Sequence, residues 1–304
     1  MQESRLKNYL LLHLIVLIWG FTAILGALIS LEAIPLVWYR MSLAVVFIFI
    51  YFLICKKSFK VDRIAIAKFF VTGILIALHW IFFFKAIKVS NVSVALVTMS
   101  TGAFFVSLIE PLFFKRSIKV LELVLGFCVC IGFYIIFYFE SQYRLGIFYA
   151  LISSLLSAFF SVFNGLFIQK YDASKISLYQ LFFGVVFITV YLLFTNGFSA
   201  SFFEISKADW GYLLILGSIC TAYAFITSVK VMKYLSPYTV ILTLNLEPIY
   251  AIILALFIFG EEEKMNPEFY FGAFIVLFVV LLNGMIKNKN SIRNKIKEKS
   301  VSKN

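Results

Sequence analysis

The chain has 304 residues, of which 62% are hydrophobic and only 14% charged, and its mean hydropathy is +1.00. That balance excludes a water-soluble core under a polar coat, even in a chain long enough for two domains. The formal net charge of +12 raises nucleic acid or an acidic protein as partners, so the placement of the charges decides what they mean.

A crossing of roughly 30 Å of hydrocarbon needs about 20 apolar residues in a helix, and ten runs meet that need. The first, Tyr9 to Ile29, is too long for the apolar region of a signal peptide and no small-residue cleavage site follows it, so a retained helix is expected. It opens with His13, an expected interfacial anchor, and holds Trp19-Gly20. The second, Pro35 to Ile54, holds Tyr39-Arg40. The third, Ile66 to Phe84, has His79 at mid-helix with Trp80 beside it and Phe83 one turn on. Such a face either points into a cavity or is satisfied by a neighbouring helix. The fourth, Val92 to Phe114, places Thr98 and Thr101 on one face and ends near Glu110-Pro111, where a snorkelling carboxylate is expected. Val120 to Phe139 closes the set.

A second set of five follows at Gly146 to Ile168 with Asn164, Ile176 to Thr195 with Gln180, Trp210 to Val229, Tyr238 to Phe259 and Phe269 to Met285. In the eighth span Tyr223 and Thr227 are four apart and so share a face, as do Thr243 and Glu247 in the ninth, with Asn245 between them. Ionisable groups inside hydrocarbon cost about 2.5 to 3.5 kcal/mol on insertion scales, so each one needs a reason. Glu247 is the sharpest, because Pro248 cannot donate the amide that would bond back to Leu244. A carboxylate at a broken turn near the midplane is a ligand or proton site, or else a neutral group shaping the kink. The four cysteines, Cys55, Cys128, Cys130 and Cys220, show neither ligand spacing nor a disulfide framework and read as packing residues. No metal or cofactor is implied. The 37 phenylalanines read mostly as lipid-facing bulk.

With ten spans both termini share a side, and most of the 27 basic residues fall there, among them Lys56, Lys57, Lys60, Lys170, Lys175, Lys230 and Lys233. Lys85, Lys88, Arg144, Lys207 and Lys264 fall opposite. The excess is positive-inside charge, which places both termini in the cytoplasm and removes the need for a nucleic-acid partner. The tail at 287–304 reads as a basic cytoplasmic anchor near anionic headgroups.

The two sets repeat each other. At a shift of 145 positions Lys85, Lys88, Thr98 and Phe114 fall on Lys230, Lys233, Thr243 and Phe259, and after one inserted residue Glu122 and Gly126 fall on Glu268 and Gly272. Five spans separate equivalent points, so the second copy enters the membrane inverted, an arrangement used by transporters. The opposite sides given to Lys85 and Lys230 by charge placement agree. Residues 1–140 and 141–286 are therefore read as two five-span units.

Trp19-Gly20, Tyr39-Arg40 and, above all, Leu246-Glu247-Pro248 followed by Phe259-Gly260-Glu261 resemble the EamA branch of the drug/metabolite transporter superfamily, over roughly Tyr9 to Met285. The first copy departs from that pattern, with Ala103 and Lys115-Arg116 in place of proline and Gly-Glu, and Phe159-Phe160 stands in the sixth span where the first has its Trp-bearing motif. The resemblance implies an all-α integral membrane fold of ten helices in two inverted repeats, around a cavity lined by the first, third, fourth, sixth, eighth and ninth helices. It implies alternating access for small metabolites such as amino acids, usually outward. The expected substrate-binding set is His79, Trp80, Phe83, Thr98, Asn164, Tyr223, Thr227, Asn245 and Glu247, with Phe160 adding apolar contact. Glu247 would meet a substrate ammonium group or carry a coupling proton. The partners are a small-molecule substrate and the lipid bilayer of an inner membrane, with a homodimer left open. Nucleotide sugars or lipids are the alternative cargoes, for which Arg40 is the lone intramembrane cation. An enzyme acting on lipid-linked substrates, or an assembly subunit, accounts less well for Glu247 and the repeat.

Overall fold

The structure is a computed structural model describing residues 2–115, 120–244, 246–279 and 281–282. Among the described residues seven helices are long and apolar enough to cross a membrane: Lys7–Leu28, Ala33–Ile54, Arg63–Val89, Val92–Phe113, Ser141–Phe167, Ala173–Phe194 and Lys207–Val231. The apolar helix Val120–Phe139 supplies the fifth span. Pro237–Leu244 with Glu247–Phe259 supplies the ninth, and Pro267–Val279 the tenth. The chain is an all-α integral membrane protein.

Local sequence sets where these helices begin. Asp62, Asn91, Asp172 and Ser206 each accept a backbone N–H from the first turn of the helix that follows, satisfying donors that have no partner inside that helix. Helix ends are set by left-handed residues: Lys56 and Asn196 close the second and seventh spans, and Lys115 and Gly260 the fourth and ninth. Lys115 and Gly260 are equivalent positions in the repeat. Both take a positive φ, which puts lysine in a conformation better suited to glycine.

The helix pairings come in exchanged sets. The third span packs on the seventh and the second on the eighth; the fourth packs on the sixth and the first on the ninth. Swapping each span for the one five places along maps this list onto itself, which is the mark of a two-fold relation. Because hairpin-linked spans alternate in direction, helices five apart run oppositely and the two repeats are inverted. Small residues bring the axes together, as expected where no hydrophobic drive separates helix from lipid. Backbone meets backbone at Gly73 and Gly184, and at Gly132 and Gly272, where an added Cβ on one glycine would lie about 3 Å or less from backbone of the facing helix. Phe194 and Phe257 are the most exposed of the phenylalanines, whereas Phe52, Phe69, Phe84 and Phe269 are buried in the core.

The loops close the two faces differently. On the face opposite the termini, Asp209 accepts Ser30 N–H at 2.9 Å and Ser30 Oγ at 2.6 Å, and Lys88 donates to the Ile29 carbonyl. Glu263 accepts Val92 N–H at 2.8 Å, Ser93 N–H at 3.0 Å and Ser93 Oγ at 2.7 Å. Both carboxylates are buried. On the face of the termini the links are half exposed: Lys57 to Asp172 at 3.3 Å, Lys170 to Asp62 at 3.6 Å and Tyr171 hydroxyl to Asp62 at 2.8 Å. Together with the N–H of Ala65, that hydroxyl holds the Asp62 carboxyl below the usual carboxylate range. Pairs so exposed contribute little. Removing a buried acceptor leaves two backbone N–H groups unsatisfied. Glu263→Ala is therefore expected to destabilise the fold by about 1.5 kcal/mol, and Lys57→Ala by far less, read as melting temperatures in detergent; equal shifts would contradict the asymmetry.

Glu110 departs from expectation. Only 7% of it is exposed, because the half-helix Gly102–Phe113 packs on the sixth and ninth spans, so it does not snorkel to the surface.

Candidate functional site

A cavity lies between the two repeats and encloses about 920 Å³ of non-atom space, its mouth included. Its wall is built from the six spans that the family resemblance implied, together with the second span, which adds Arg40. At the centre the fourth and ninth spans are both broken. One half-helix ends at Met99 and the next starts at Gly102; in the other repeat the corresponding bounds are Leu244 and Glu247. These positions differ by the repeat shift, so the two breaks are equivalent. The causes differ. Pro248 enforces the ninth-span break, since it has no N–H and sits in the first turn of the new half-helix. In the fourth span hydroxyls compete for the backbone: Ser100 Oγ donates to the Leu96 carbonyl at 3.2 Å and Thr101 Oγ1 to the Thr98 carbonyl at 2.7 Å. Gly102 and Glu247 both line the cavity. The scaffold is symmetric there, and the carboxylate belongs to one side only.

Arg40 is the cation of this wall. It is 1% exposed, with its guanidinium carbon 4.0 Å from the Trp80 ring centroid and 5.5 Å from that of Phe84. Its Nε donates to Thr221 Oγ1 at 2.6 Å. Thr221 can meet it because the eighth span passes through a π-helical turn at Ser218–Tyr223. There the Thr221 hydroxyl donates to the Leu216 carbonyl, five residues back, at 2.6 Å. The turn also leaves the Cys220 carbonyl for Trp19 Nε1, which donates to it at 3.0 Å. Gly217 lets the second span approach, since a Cβ there would lie 2.7 Å from Leu43 Cβ. Nη1 of Arg40 has no hydrogen-bond partner among the described residues. Glu247 lines the same cavity as Arg40, yet no salt bridge joins them.

The remaining polar groups are held from behind. The Ser153 carbonyl, which can only accept, lies 2.9 Å from His79 Nδ1, so that nitrogen carries the proton and Nε2 is left to the cavity. Asn164 Oδ1 accepts Gln180 Nε2 at 2.7 Å, and the same amide donates to Thr72 Oγ1 at 2.9 Å. This fixes Asn164 with its amide nitrogen unengaged. The apolar wall is aromatic. Phe160 lies 5.2 Å from His79 and 6.4 Å from Phe225, and Trp80 lies 6.0 Å from Phe225.

Of the nine residues expected to bind substrate, the structure brings His79, Trp80, Phe83, Asn164 and Glu247 together on the cavity wall. Thr98 is fully buried and lies off the wall. Thr227 donates to the Tyr223 carbonyl at 2.8 Å within its own helix. Tyr223 is 46% exposed and lies off the cavity wall, at the end of the π-helical turn. Asn245 lies outside the described residues. Sequence reasoning did not place Ser157, Ser161 or Ser228 on the wall. A serine in an apolar span gives no signal of its own, since such a hydroxyl can bond a carbonyl of its own helix, as Ser228 does to Phe225.

The comparisons with known proteins agree with this architecture. The family model described as the EamA-like transporter family matches twice, over residues 6–138 and 144–285. An uncharacterized transporter of Clostridium kluyveri is 25% identical over 214 residues, covering 68% of this chain and 66% of its own length, so the matched stretch is just under two thirds of that relative. A protein of known crystal structure superposes with a TM-score of 0.67 over 93% of this chain and 98% of its own, at 13% identity. That last likeness shows the fold alone.

Proposed function

Because this chain belongs to the EamA-like transporter family, each of its halves matching the family model, we propose that it moves an amino acid or a related small metabolite across the cytoplasmic membrane by alternating access, in the direction of export. The observation that carries the reading is the pair of equivalent helix breaks at 99–102 and 244–247. Broken spans expose backbone ends only where they border a cavity, and half-helix termini there meet polar cargo. Glu247 stands at one break and meets the cargo's ammonium group. His79 and Asn164 offer hydrogen bonds, while Trp80, Phe83 and Phe160 take its apolar part. Positive-inside charge puts the termini in the cytoplasm. Met232 and Val240, on either side of the loop between the eighth and ninth spans, line the cavity, while buried Asp209 and Glu263 tie loops together on the other face; this favours a mouth on the side of the termini. A carrier resting in this state collects cargo from inside.

The test is counterflow in proteoliposomes, with a panel of labelled amino acids, with and without a pH gradient. Saturable exchange of one or a few amino acids is expected; exchange of none would overturn the substrate assignment. Acceleration by the gradient marks proton antiport and its absence a uniporter. Labelling of Lys88→Cys from the cytoplasmic side would refute the orientation.

A further inference from the structure

We propose that Arg40 is a carboxylate receptor, so that the cargo is an acid held by its carboxylate at the second and eighth spans. The inference rests on the transport reading above and adds the chemical class of the group bound. A guanidinium has five N–H donors in a rigid fork, and here only Nε is given a partner, the Thr221 hydroxyl. Nη1 is buried without one, in a residue 1% exposed that borders the cavity. Leaving donors of a buried cation unmade is costly. Stacking on Trp80 at 4.0 Å offsets part of that cost and fixes the plane of the fork. The structure therefore holds a preorganised planar donor set whose natural partner is a planar anion.

Two further features bear on which anion. The half-helices starting at Gly102 and Glu247 are 12 and 13 residues long and begin at the cavity wall, adding the positive ends of their dipoles. Glu247 adds a carboxyl group to the same wall, with no salt bridge to Arg40. One guanidinium on the wall balances a singly charged acid whose cationic end meets Glu247, and leaves a doubly charged phosphate half neutralised. Arg40 and Glu247 line one cavity without a salt bridge between them, so a zwitterion can engage both.

The probes are benzoate, benzamide and phenyl phosphate, which share a planar apolar body and differ in the head group. Titration of the purified protein is followed by tryptophan fluorescence, since Trp80 lies against Arg40 and Trp19 on the cavity wall. Wild type is expected to bind benzoate at least about tenfold more tightly than benzamide, the ratio given by one charge-assisted hydrogen bond. Arg40→Met removes this preference. Arg40→Lys keeps the charge but not the fork and weakens benzoate about tenfold, which serves if the methionine variant does not fold. The proposal is overturned if wild type binds no benzoate, if it does not distinguish benzoate from benzamide, if both Arg40 variants bind benzoate as wild type does, or if phenyl phosphate binds more tightly. Amino-acid counterflow by a protein that fails these tests would leave the transport reading standing without an Arg40 subsite. Benzoate binding through Arg40 in a protein without counterflow would do the reverse.

Discussion

Glu247→Gln is expected to slow amino-acid counterflow by about 10- to 100-fold while leaving the protein folded. The side chain keeps its size and loses its charge. Because no hydrogen bond or salt bridge ties it to a described neighbour, its removal disrupts no structural network. A charge-assisted hydrogen bond is worth roughly 1.5 to 3 kcal/mol, and each 1.4 kcal/mol is tenfold. Both functional readings of the residue lose that contribution, one through the cargo's ammonium group and the other through the proton. They part in the pH gradient. If Glu247 meets the ammonium group, the variant's residual rate keeps whatever gradient dependence the wild type has; if it carries the proton, that dependence vanishes. An unchanged rate with unchanged pH dependence would remove Glu247 from the mechanism. Gly102→Glu supplies a control at the equivalent break. It puts a carboxylate where the first repeat has none and is not expected to restore transport to Glu247→Gln, because the two walls differ in Arg40 and Thr221.

Gly73→Ala is expected to destabilise the protein by about 3 kcal/mol, the upper part of the range for overpacking. A Cβ at that position would lie 2.4 Å from the Gln180 carbonyl and 3.0 Å from Phe183 Cβ. A backbone carbonyl cannot rotate away, so the third and seventh spans must separate. That separation also pulls Gln180 from Thr72 and Asn164, and with it a polar group of the cavity wall. Gly184→Ala makes the comparison. Its Cβ would meet the flexible Met41 Cε at 2.2 Å but the Gly73 carbonyl at 3.1 Å, so the cost should be visibly smaller. Melting curves in detergent decide it; equal or reversed losses would mean that the crossing is not held at Gly73.

Much of this protein is read directly from one dimension. The apolar runs give the spans, because hydrocarbon leaves the backbone no partner except its own helix. The 145-residue repeat and the placement of lysines give the inversion. Pro248 gives the break in the ninth span, since the missing N–H is a property of that residue alone. The matching break in the fourth span has no proline to announce it. It follows from Ser100 and Thr101, whose hydroxyls compete with the backbone only in this setting, and serines and threonines occur in spans that stay whole. Lys115 likewise gives no hint that it takes a positive φ as Gly260 does.

The site shows the same division. Glu247, His79 and Asn164 stand out in the sequence because polar groups in hydrocarbon are costly and few. Arg40 is equally conspicuous by type, but its partner, its stacking on Trp80 and its place on the cavity wall depend on three spans distant in sequence. The π-helical turn at Ser218–Tyr223 brings Thr221 to the guanidinium, which no 3.6-residue periodicity foretells. The sequence by itself determined the class, the spans, the inversion and the asymmetry of charge, since each follows from the cost of polar groups in lipid. Only the tertiary structure decided which polar groups share a cavity, because that depends on where helices cross, and crossings are set by glycines, hydroxyls and one π-helical turn whose effects appear only in contact.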